Sequence, residues 1–467
     1  MEPLKVEDVV RAVGGTLVRG GRKTITGVSI DSRAMRPGDL FFAIKGERFD
    51  GHEFVPDVLA RGAAGAIVQV PPVNLPSSVR SRVVIQVADT RKALADLARF
   101  YRSRLRTRVV AVTGSNGKTT TREMIAAVLA SRHRVVSAEG NFNNDIGVPL
   151  TVFRLDSGTE FGVFEIEMNR FGGTRMLAQV CRPEVGVVTN IGDSHLEFMK
   201  DRMGVALEKA ELLAELPEDG CAVVNADDPM VMNIAGRACR TRCLTFGIEK
   251  PADVFATEVR DLGLEGSEFR LMGQHPVRLS IPGWHNVVNF LAACAATRAC
   301  GMEFADMPRA LVRFTPPEKR LRVHRLGKVT LIDDSYNANP QSMAVAVELL
   351  CRNAAPGHRV AFLGDMLELG EYAVEAHSRL GQIVSTCLDR VAFVGPLGEH
   401  AASVAIKAGM DAKRFRLFAD AGQLLSELFD MIRPGDTILV KGSRAMKMEL
   451  VTQAILQHYD EEPDKVH

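Results

Sequence analysis

An excess of charge of either sign is missing from this sequence: 58 Lys and Arg stand against 57 Asp and Glu, a net charge of +1. That balance gives no electrostatic ground for nucleic acid or an anionic membrane as the main partner. No run of about 18 uninterrupted apolar residues occurs, so no membrane-spanning helix is expected. The opening Met1-Glu2-Pro3-Leu4-Lys5 lacks a basic stretch followed by an apolar one and is not read as a secretory leader. None of the 8 cysteines (Cys181, Cys221, Cys239, Cys243, Cys294, Cys300, Cys351 and Cys387) forms a CxxC pair. Several lie in apolar runs, as buried reduced thiols do, so a cytoplasmic chain without a disulfide framework is expected. Low-complexity segments and short-period repeats are absent as well.

What is present is ordinary globular material: 467 residues, 46% apolar and 25% charged. At roughly 150 residues per domain the length suggests about three domains. The class read from the pattern is α/β. Residues 1–105 mix short strands (40–44, 66–70, 83–87) with helical patches, and residues 70–76 read as an internal Pro-rich loop. From about 106 the pattern changes. The run 109–113 is continuously apolar, as in a strand buried on both faces. Further strands are expected at 162–166, 185–189 and 222–225, separated by helical patterns, which argues for a doubly wound parallel sheet. The Ala-rich stretch 286–300 reads as a buried helix. Residues 314–319 look like a linker. Beyond it strands at 329–332, 359–363, 391–394 and 437–440 again alternate with helices, as in a second nucleotide-type fold. The expected domains are 1–105, 106–316 and 317–467.

Gly114-Ser115-Asn116-Gly117-Lys118-Thr119-Thr120 stands between the apolar strand and an amphipathic helix, which is the context of a phosphate loop. Glycines let backbone N–H groups approach phosphate oxygens, and the helix N-terminus adds positive potential. Lys118 would reach the β- and γ-phosphates and the Thr119 hydroxyl would hold Mg²⁺. Val112 stands where the longer GxxxxGK[ST] pattern has its first Gly, so this is the short GxxGKT form. Such a loop specifies a nucleoside triphosphate, not a reaction: kinases, switches, motors and ligases all use one.

Downstream candidates are open on the residues alone. Glu165 lies in a central apolar strand, where a carboxylate is costly unless paired or bound to a cation; a strand-end surface Glu is the plainer alternative. His195 follows the strand 185–189, at the end where ligands bind in open α/β sheets, yet Mg²⁺ prefers oxygen, and a hydrogen-bonded loop His fits equally. Lys209 reads first as a solvated helix residue. A desolvated lysine, however, can lower its pKa and add CO₂ as a carbamate. Asp333-Asp334 end a strand, and Asn339-Pro340 suit the cap and first turn of a helix.

Taken together the short phosphate loop, the Glu strand, the His loop, the helix Lys, "GWHNVVNFLAA" and "IDDSYNANP" resemble the Mur ligases. The resemblance extends through Asp31-Ser32-Arg33, "GDLFFAIKGERFDGHEF", "NFNNDIGVPLT", "DDSYNANPQSM", "GDMLELG" and "KGSRAM", in order along essentially the whole chain. The DNPR motif of the diaminopimelate- or lysine-adding relatives is absent.

The resemblance implies three domains: an N-terminal one for the UDP-sugar, a central P-loop-type one for ATP, and a Rossmann-like C-terminal one that closes over the site. It implies an ATP-dependent ligase joining D-alanyl-D-alanine to UDP-N-acetylmuramoyl-tripeptide through an acyl phosphate, in the cytoplasm, as a monomer. By matched position, Gly114 through Thr120 would hold ATP phosphates, with Lys118 and Thr119 central among them. Glu165 and His195 would ligate a second Mg²⁺, and Lys209 would be carbamylated and join them. Asn286 would contact adenine, and Arg320 and Asp334 would reach the nucleotide from the closing domain. Asp31, Ser32, Arg33, Lys45, Gly46, Asp50, Gly51, His52, Asn143, Asn144, Tyr336, Asn337 and Asn339 would bind the other substrates. One position departs from the resemblance: Glu167 stands where relatives usually carry Gly, an extra carboxylate near the metal face that would either alter metal affinity or point to solvent. Rival readings are a sibling Mur ligase, a folylpolyglutamate synthase-like ligase, a small-molecule kinase and a nucleotide switch.

Overall fold

A run as apolar as 109–113 is stable as a strand when both its faces are covered. The computed structural model describes all residues except 22–23, 47, 73–74, 76, 80, 313, 354–357 and 461–467. It covers both faces of this strand, leaving Val109, Val110, Ala111 and Val112 fully buried. In chain order the strands β1 (Arg108–Thr113), β2 (Val135–Ser137), β3 (Phe161–Glu165), β4 (Val185–Val188), β5 (Cys221–Asn225) and β6 (Arg242–Gly247) run parallel. They lie side by side as β2-β3-β1-β4-β5-β6 in a 9-stranded sheet. Val254–Asp261 extends it in parallel, and Ser267–Leu271 and His275–Leu279 close that edge as antiparallel strands. The chain moves from β1 outward to β2, returns to lay β3 against β1, then crosses to β4 on the other side. The carboxyl end of β1 is therefore a switch point, where neighbouring loops diverge and leave a crevice.

Three helices fix that crevice. The first, α1 (Lys118–Ala130), buries Met124, Ile125, Val128 and Leu129 completely, each contributing about 1.5–3 kcal/mol over an exposed side chain. The second, α2 (Arg202–Ala214), is buried over most of its surface, including Glu208 and Lys209. The Ala-rich stretch is α3 (His285–Ala299), enclosed on all sides and packed on α1.

On the N-terminal side, a 5-stranded sheet runs in the order Thr16–Arg19, Val83–Gln86, Gly65–Val68, Asp39–Phe42, Gly27–Ser29. Part of the internal loop expected at 70–76 (residues 73–74 and 76) lies outside the described residues. On the C-terminal side, β7 (Val329–Asp334), β8 (Arg359–Gly364), β9 (Arg390–Val394) and β10 (Thr437–Lys441) lie in a 6-stranded sheet. Its single antiparallel strand is the edge strand Arg322–Leu326. Its helices include α4 (Pro340–Asn353) and α5 (Ala373–Cys387). The expected α/β class with a parallel-sheet centre and flanking α/β units is what the chain adopts.

The units share cores. One buried cluster joins Val188, Ile191, Leu196 and Met199 to Ile332, Met343, Leu363 and Leu369. Another joins Leu94, Leu97 and Tyr101 to Val109, Val148 and Leu177. The Tyr101 hydroxyl also donates to Leu155 O at 2.7 Å.

The cysteine reading is corrected at one pair. Cys351 at the end of α4 and Cys387 at the end of α5 are joined as a disulfide, their Cα atoms 5.6 Å apart. These neighbouring helix ends bring together residues 36 apart in sequence, and no spacing rule reveals that. Cys181, Cys221, Cys294 and Cys300 are free and buried, as expected. Among the described residues no helix is long and apolar enough to cross a membrane.

Candidate active site

The turn from β1 into α1 needs glycine at two points. Gly114 has φ +150° and Gly117 φ +80°, and a Cβ on either would run into Thr189 Oγ1 or Asn289 Oδ1. The loop is bonded to the segment after β4. Ser115 N donates to Asn190 O at 3.0 Å and Asn116 N to Asn190 Oδ1 at 2.9 Å. Thr189 Oγ1 donates to Asn116 O at 2.6 Å. Lys118 folds back over the loop, its Nζ donating to Gly114 O at 2.9 Å and Ser115 O at 3.2 Å. Residues 115–120 line one wall of a cavity of ≈ 760 Å³ that also takes in Glu167, His195, Asn286, Arg320, Asp334 and Tyr336. The context expected of a phosphate loop is present: buried strand, glycine turn, helix N-terminus.

Glu165 ends β3 beside the loop and is buried. Its Oε1 accepts from Asn143 Nδ2 at 2.9 Å. Its Oε2 has no hydrogen-bond partner among the described residues and lies 3.7 Å from Arg122 Nη1. Glu165 is thus no surface residue.

Glu167 turns into the site. Its Oε1 lies 2.6 Å from Lys118 Nζ and 3.2 Å from His195 Nε2, and its Oε2 accepts from Asn143 Nδ2 at 3.3 Å. Burial opposes its charge, but Lys118, then His195 and Lys209, hold its carboxyl well below the usual range.

His195 adopts the left-handed conformation, φ +55°, which places its ring between two carboxylates, with Nδ1 2.5 Å from Glu368 Oε2. Burial alone would lower its pKa; the hydrogen bonds to Glu167 and Glu368 outweigh that and raise it to about 9.

Lys209 corrects the plainer reading of it. It is buried, and burial, reinforced by Lys118, brings its amine down to about 7. α2 is covered on nearly every side, so a lysine placed by periodicity on a wet face is enclosed. Among the described residues, no three His, Cys, Asp or Glu side chains are gathered as a metal centre.

The opposite wall comes from the C-terminal unit. Asn339 caps α4, its Oδ1 accepting from Ser342 N at 2.9 Å, and its Nδ2 donates across to Asn116 Oδ1 at 2.8 Å. The Arg320 guanidinium lies 4.2 Å over the Tyr336 ring. Asp334 lines the cavity but is engaged by protein: Lys441 Nζ lies 2.5 Å from its Oδ2, and Leu321 N donates to its Oδ1. Lys441 Nζ also donates to Asn337 O at 2.9 Å.

The wall expected for adenine is formed by Ile281, Trp284, His285 and Asn286. The Asn286 amide is engaged within the protein, donating to Pro282 O at 2.8 Å and accepting from Asn289 Nδ2 at 3.0 Å. His285 beside it is held neutral, lowered to about 4 by burial and then by Lys441, and its Nδ1 has no hydrogen-bond partner.

The N-terminal candidates lie elsewhere. Asp31, Ser32, Arg33, Lys45, Gly46 and Asp50 lie in loops of the N-terminal unit, Gly51 and His52 open the short 3-10 helix Gly51–Phe54, and none of them lines this cavity. Arg33 Nη2 pairs with Asp31 Oδ2 at 2.9 Å, on the surface. Lys45 and Asp50 form a backbone bridge. Asp50 Oδ1 accepts from the His52 backbone at 3.0 Å and lies 2.6 Å from His52 Nδ1. A Cβ at Gly51 would meet Ile44 N. Asn144 caps the short helix after it, accepting from Ile146 N and Gly147 N. Lys441, Glu368, Gln341 and Asn190 are cavity residues that the sequence reading did not single out as site residues. "KGSRAM" and "GDMLELG" were the signals available for the first two.

A phosphate loop facing a two-carboxylate cluster, closed over by a second α/β unit, admits several ligase families. Residues 112–297 match the Mur ligase middle domain, 319–444 the Mur ligase glutamate ligase domain, and 24–102 the Mur ligase family catalytic domain. Over 97% of its length the chain is 36% identical to the UDP-N-acetylmuramoyl-tripeptide–D-alanyl-D-alanine ligase of Bacillus subtilis (strain 168), of which it covers 98%. The chain belongs to the Mur ligase family. This Mur ligase is also 36% identical to the enzyme of the same name from Escherichia coli (strain K12), over 94% of the chain and 96% of the relative. Its fold matches a crystal structure of MurF from Acinetobacter baumannii with a TM-score of 0.88 at 31% identity, over 98% and 99% of the two chains. It matches MurF from Thermotoga maritima in complex with ADP with a TM-score of 0.79 at 29% identity, over 93% and 98%.

Proposed function

We propose that this Mur ligase joins D-alanyl-D-alanine to UDP-N-acetylmuramoyl-tripeptide, converting ATP to ADP and phosphate and yielding UDP-N-acetylmuramoyl-pentapeptide for peptidoglycan. The observation that carries the reading is a single cavity bounded on one side by the Lys118 loop and on the other by the Asp334–Asn339 segment. Full-length similarity to ligases named for this reaction supports the substrates.

Amide formation from a free carboxylate is uphill in water. One oxygen of the tripeptide carboxylate attacks the γ-phosphorus of ATP, ADP leaves, and an acyl phosphate results. The amine of D-alanyl-D-alanine attacks the acyl carbon, loses a proton, and the tetrahedral intermediate expels phosphate. The loop N–H groups and Lys118 neutralise charge on the phosphates as it shifts toward ADP. Arg320 and Asn339, reaching in from the C-terminal unit, keep water from the acyl phosphate.

The donor set fits a divalent cation: Glu165 presents a buried oxygen without a hydrogen-bond partner, and a hard cation takes carboxylates together with substrate phosphates. Thr119, Glu165, His195 and Lys209 would hold Mg²⁺, two ions in all, which would supply charge neutralisation at the transferred phosphoryl group. His195 would hold the ion through a neutral ring nitrogen. The lowered amine of Lys209 carries a neutral fraction able to add CO₂ as a carbamate, which would make it an oxygen donor. Asn286, in the cavity wall beside Trp284 and His285, would contact the base. Residues 1–105 would hold the UDP-sugar, 106–316 ATP, and 317–467 would close over both.

The test is phosphate release measured with and without D-alanyl-D-alanine, followed by mass spectrometry of the product from UDP-N-acetylmuramoyl-tripeptide. Amine-dependent phosphate release with a product heavier by one dipeptide residue unit is expected. A stable phosphoester with no need for amine would signify a kinase, and preference for another amine a sibling ligase.

A further inference from the structure

Lys118 has three N–H donors, and three acceptors surround its ammonium group. Gly114 O and Ser115 O take two positions at 2.9 and 3.2 Å, and Glu167 Oε1 takes the third at 2.6 Å. A terminal phosphate can reach this ammonium directly only if Glu167 gives way. A carboxylate displaced by phosphate but left beside it would set two anions against each other in a partly desolvated site, with His195 Nε2 at 3.2 Å as its remaining close partner, and a divalent cation between them relieves that repulsion.

The place for that cation is next to it. Glu165 and Glu167 are two residues apart at the end of β3, and Asn143 Nδ2 bonds an oxygen of each, at 2.9 and 3.3 Å. The other oxygen of Glu165 is buried without a hydrogen-bond partner. We propose that Glu167 is a further metal-ligating residue of this chain, one that turns from Lys118 to the divalent cation as nucleotide enters and so makes nucleotide binding depend on the cation. The proposal rests on the ATP reading above. Glu167 occupies Lys118 until a cation offers it a better partner.

The experiment is calorimetry of ADP binding to the parent protein, Glu167→Gln and Glu167→Gly, each with and without Mg²⁺. It is paired with electron paramagnetic resonance titration of Mn²⁺ into the ADP-saturated proteins, and circular dichroism confirms folding. Without Mg²⁺, both variants should bind ADP at least about tenfold more tightly than the parent, the size expected when one close charge contact is removed. The gain in ADP affinity on adding Mg²⁺ should shrink by a similar factor, and Mn²⁺ should bind their ADP complexes about tenfold more weakly. An unchanged Mg²⁺ gain and unchanged Mn²⁺ affinity would overturn the proposal and leave the ATP reading standing. Loss of ADP binding in both folded variants would overturn it too, because freeing Lys118 must help the nucleotide. A parent that binds no ADP even with Mg²⁺ would instead overturn the ATP reading, and this proposal with it.

Discussion

Asn339 at the head of α4 donates its amide Nδ2 to Asn116 Oδ1 in the phosphate loop at 2.8 Å, so the C-terminal unit is hydrogen-bonded directly to the turn that lines the cavity. The same side chain caps α4 through Ser342 N. Asn339→Ala therefore removes a helix cap and a bond between units. A loss of about 1–2 kcal/mol in urea unfolding is expected, with a raised KM for ATP. Asn339→Ser restores the cap alone, and should recover stability while leaving KM high.

Lys118→Ala should abolish amine-dependent phosphate release, a fall of roughly 10²–10³-fold or more, as expected for removal of a group that stabilises transferred charge. Circular dichroism should show the fold intact. Normal turnover in this variant would remove Lys118 from phosphate binding.

Lys209→Ala should lose turnover, and short carboxylic acids added to the assay should restore part of it by supplying the oxygen donors of the carbamate. Full activity without additive would dispose of the carbamate.

Arg33 is a surface residue whose recorded partner is Asp31. Arg33→Ala should change stability by no more than about 0.5 kcal/mol. It should raise KM for the UDP-sugar substrate while leaving ADP affinity, read by calorimetry, unchanged. A changed ADP affinity would contradict a sugar site separate from the nucleotide cavity.

Asp365, just after β8, is raised by burial from 3.8 to about 6, and its Oδ1 has no hydrogen-bond partner among the described residues. A carboxyl raised in the folded state binds its proton more tightly there than in the unfolded chain. Its contribution to stability is therefore full below about 3.8 and is lost as pH rises through about 6. Asp365→Asn should remove this slope, making the variant more stable than the parent at pH 7 by on the order of 1–3 kcal/mol, with the gap closing toward pH 4. Equal pH profiles for the two proteins in urea unfolding would rule the assignment out.

Much of this was written locally. The run 109–113, Val and Ala followed by Thr and so mostly β-branched, reads as a strand covered on both faces, and it became β1. Gly114 and Gly117 marked the turn, because no other residue fits their backbone and their neighbours. Asn339-Pro340 announced the start of α4 by cap chemistry alone. Strands of weak or half-exposed pattern were not legible: Thr16–Arg19 and Arg322–Leu326 are edge strands with exposed residues, and edges carry little hydrophobic signal.

Sequence by itself determined the buried central strands from 109 to 225, the phosphate loop and the family, because these depend on residues adjacent in the chain. Tertiary structure alone decided that Lys209 is buried, that Glu167 takes the ammonium of Lys118, that Asp334 belongs to Lys441, and that α4 sits on the phosphate loop. Burial and charge pairing are properties of residues brought together from distant parts of the chain, and no local pattern encodes which partner will arrive.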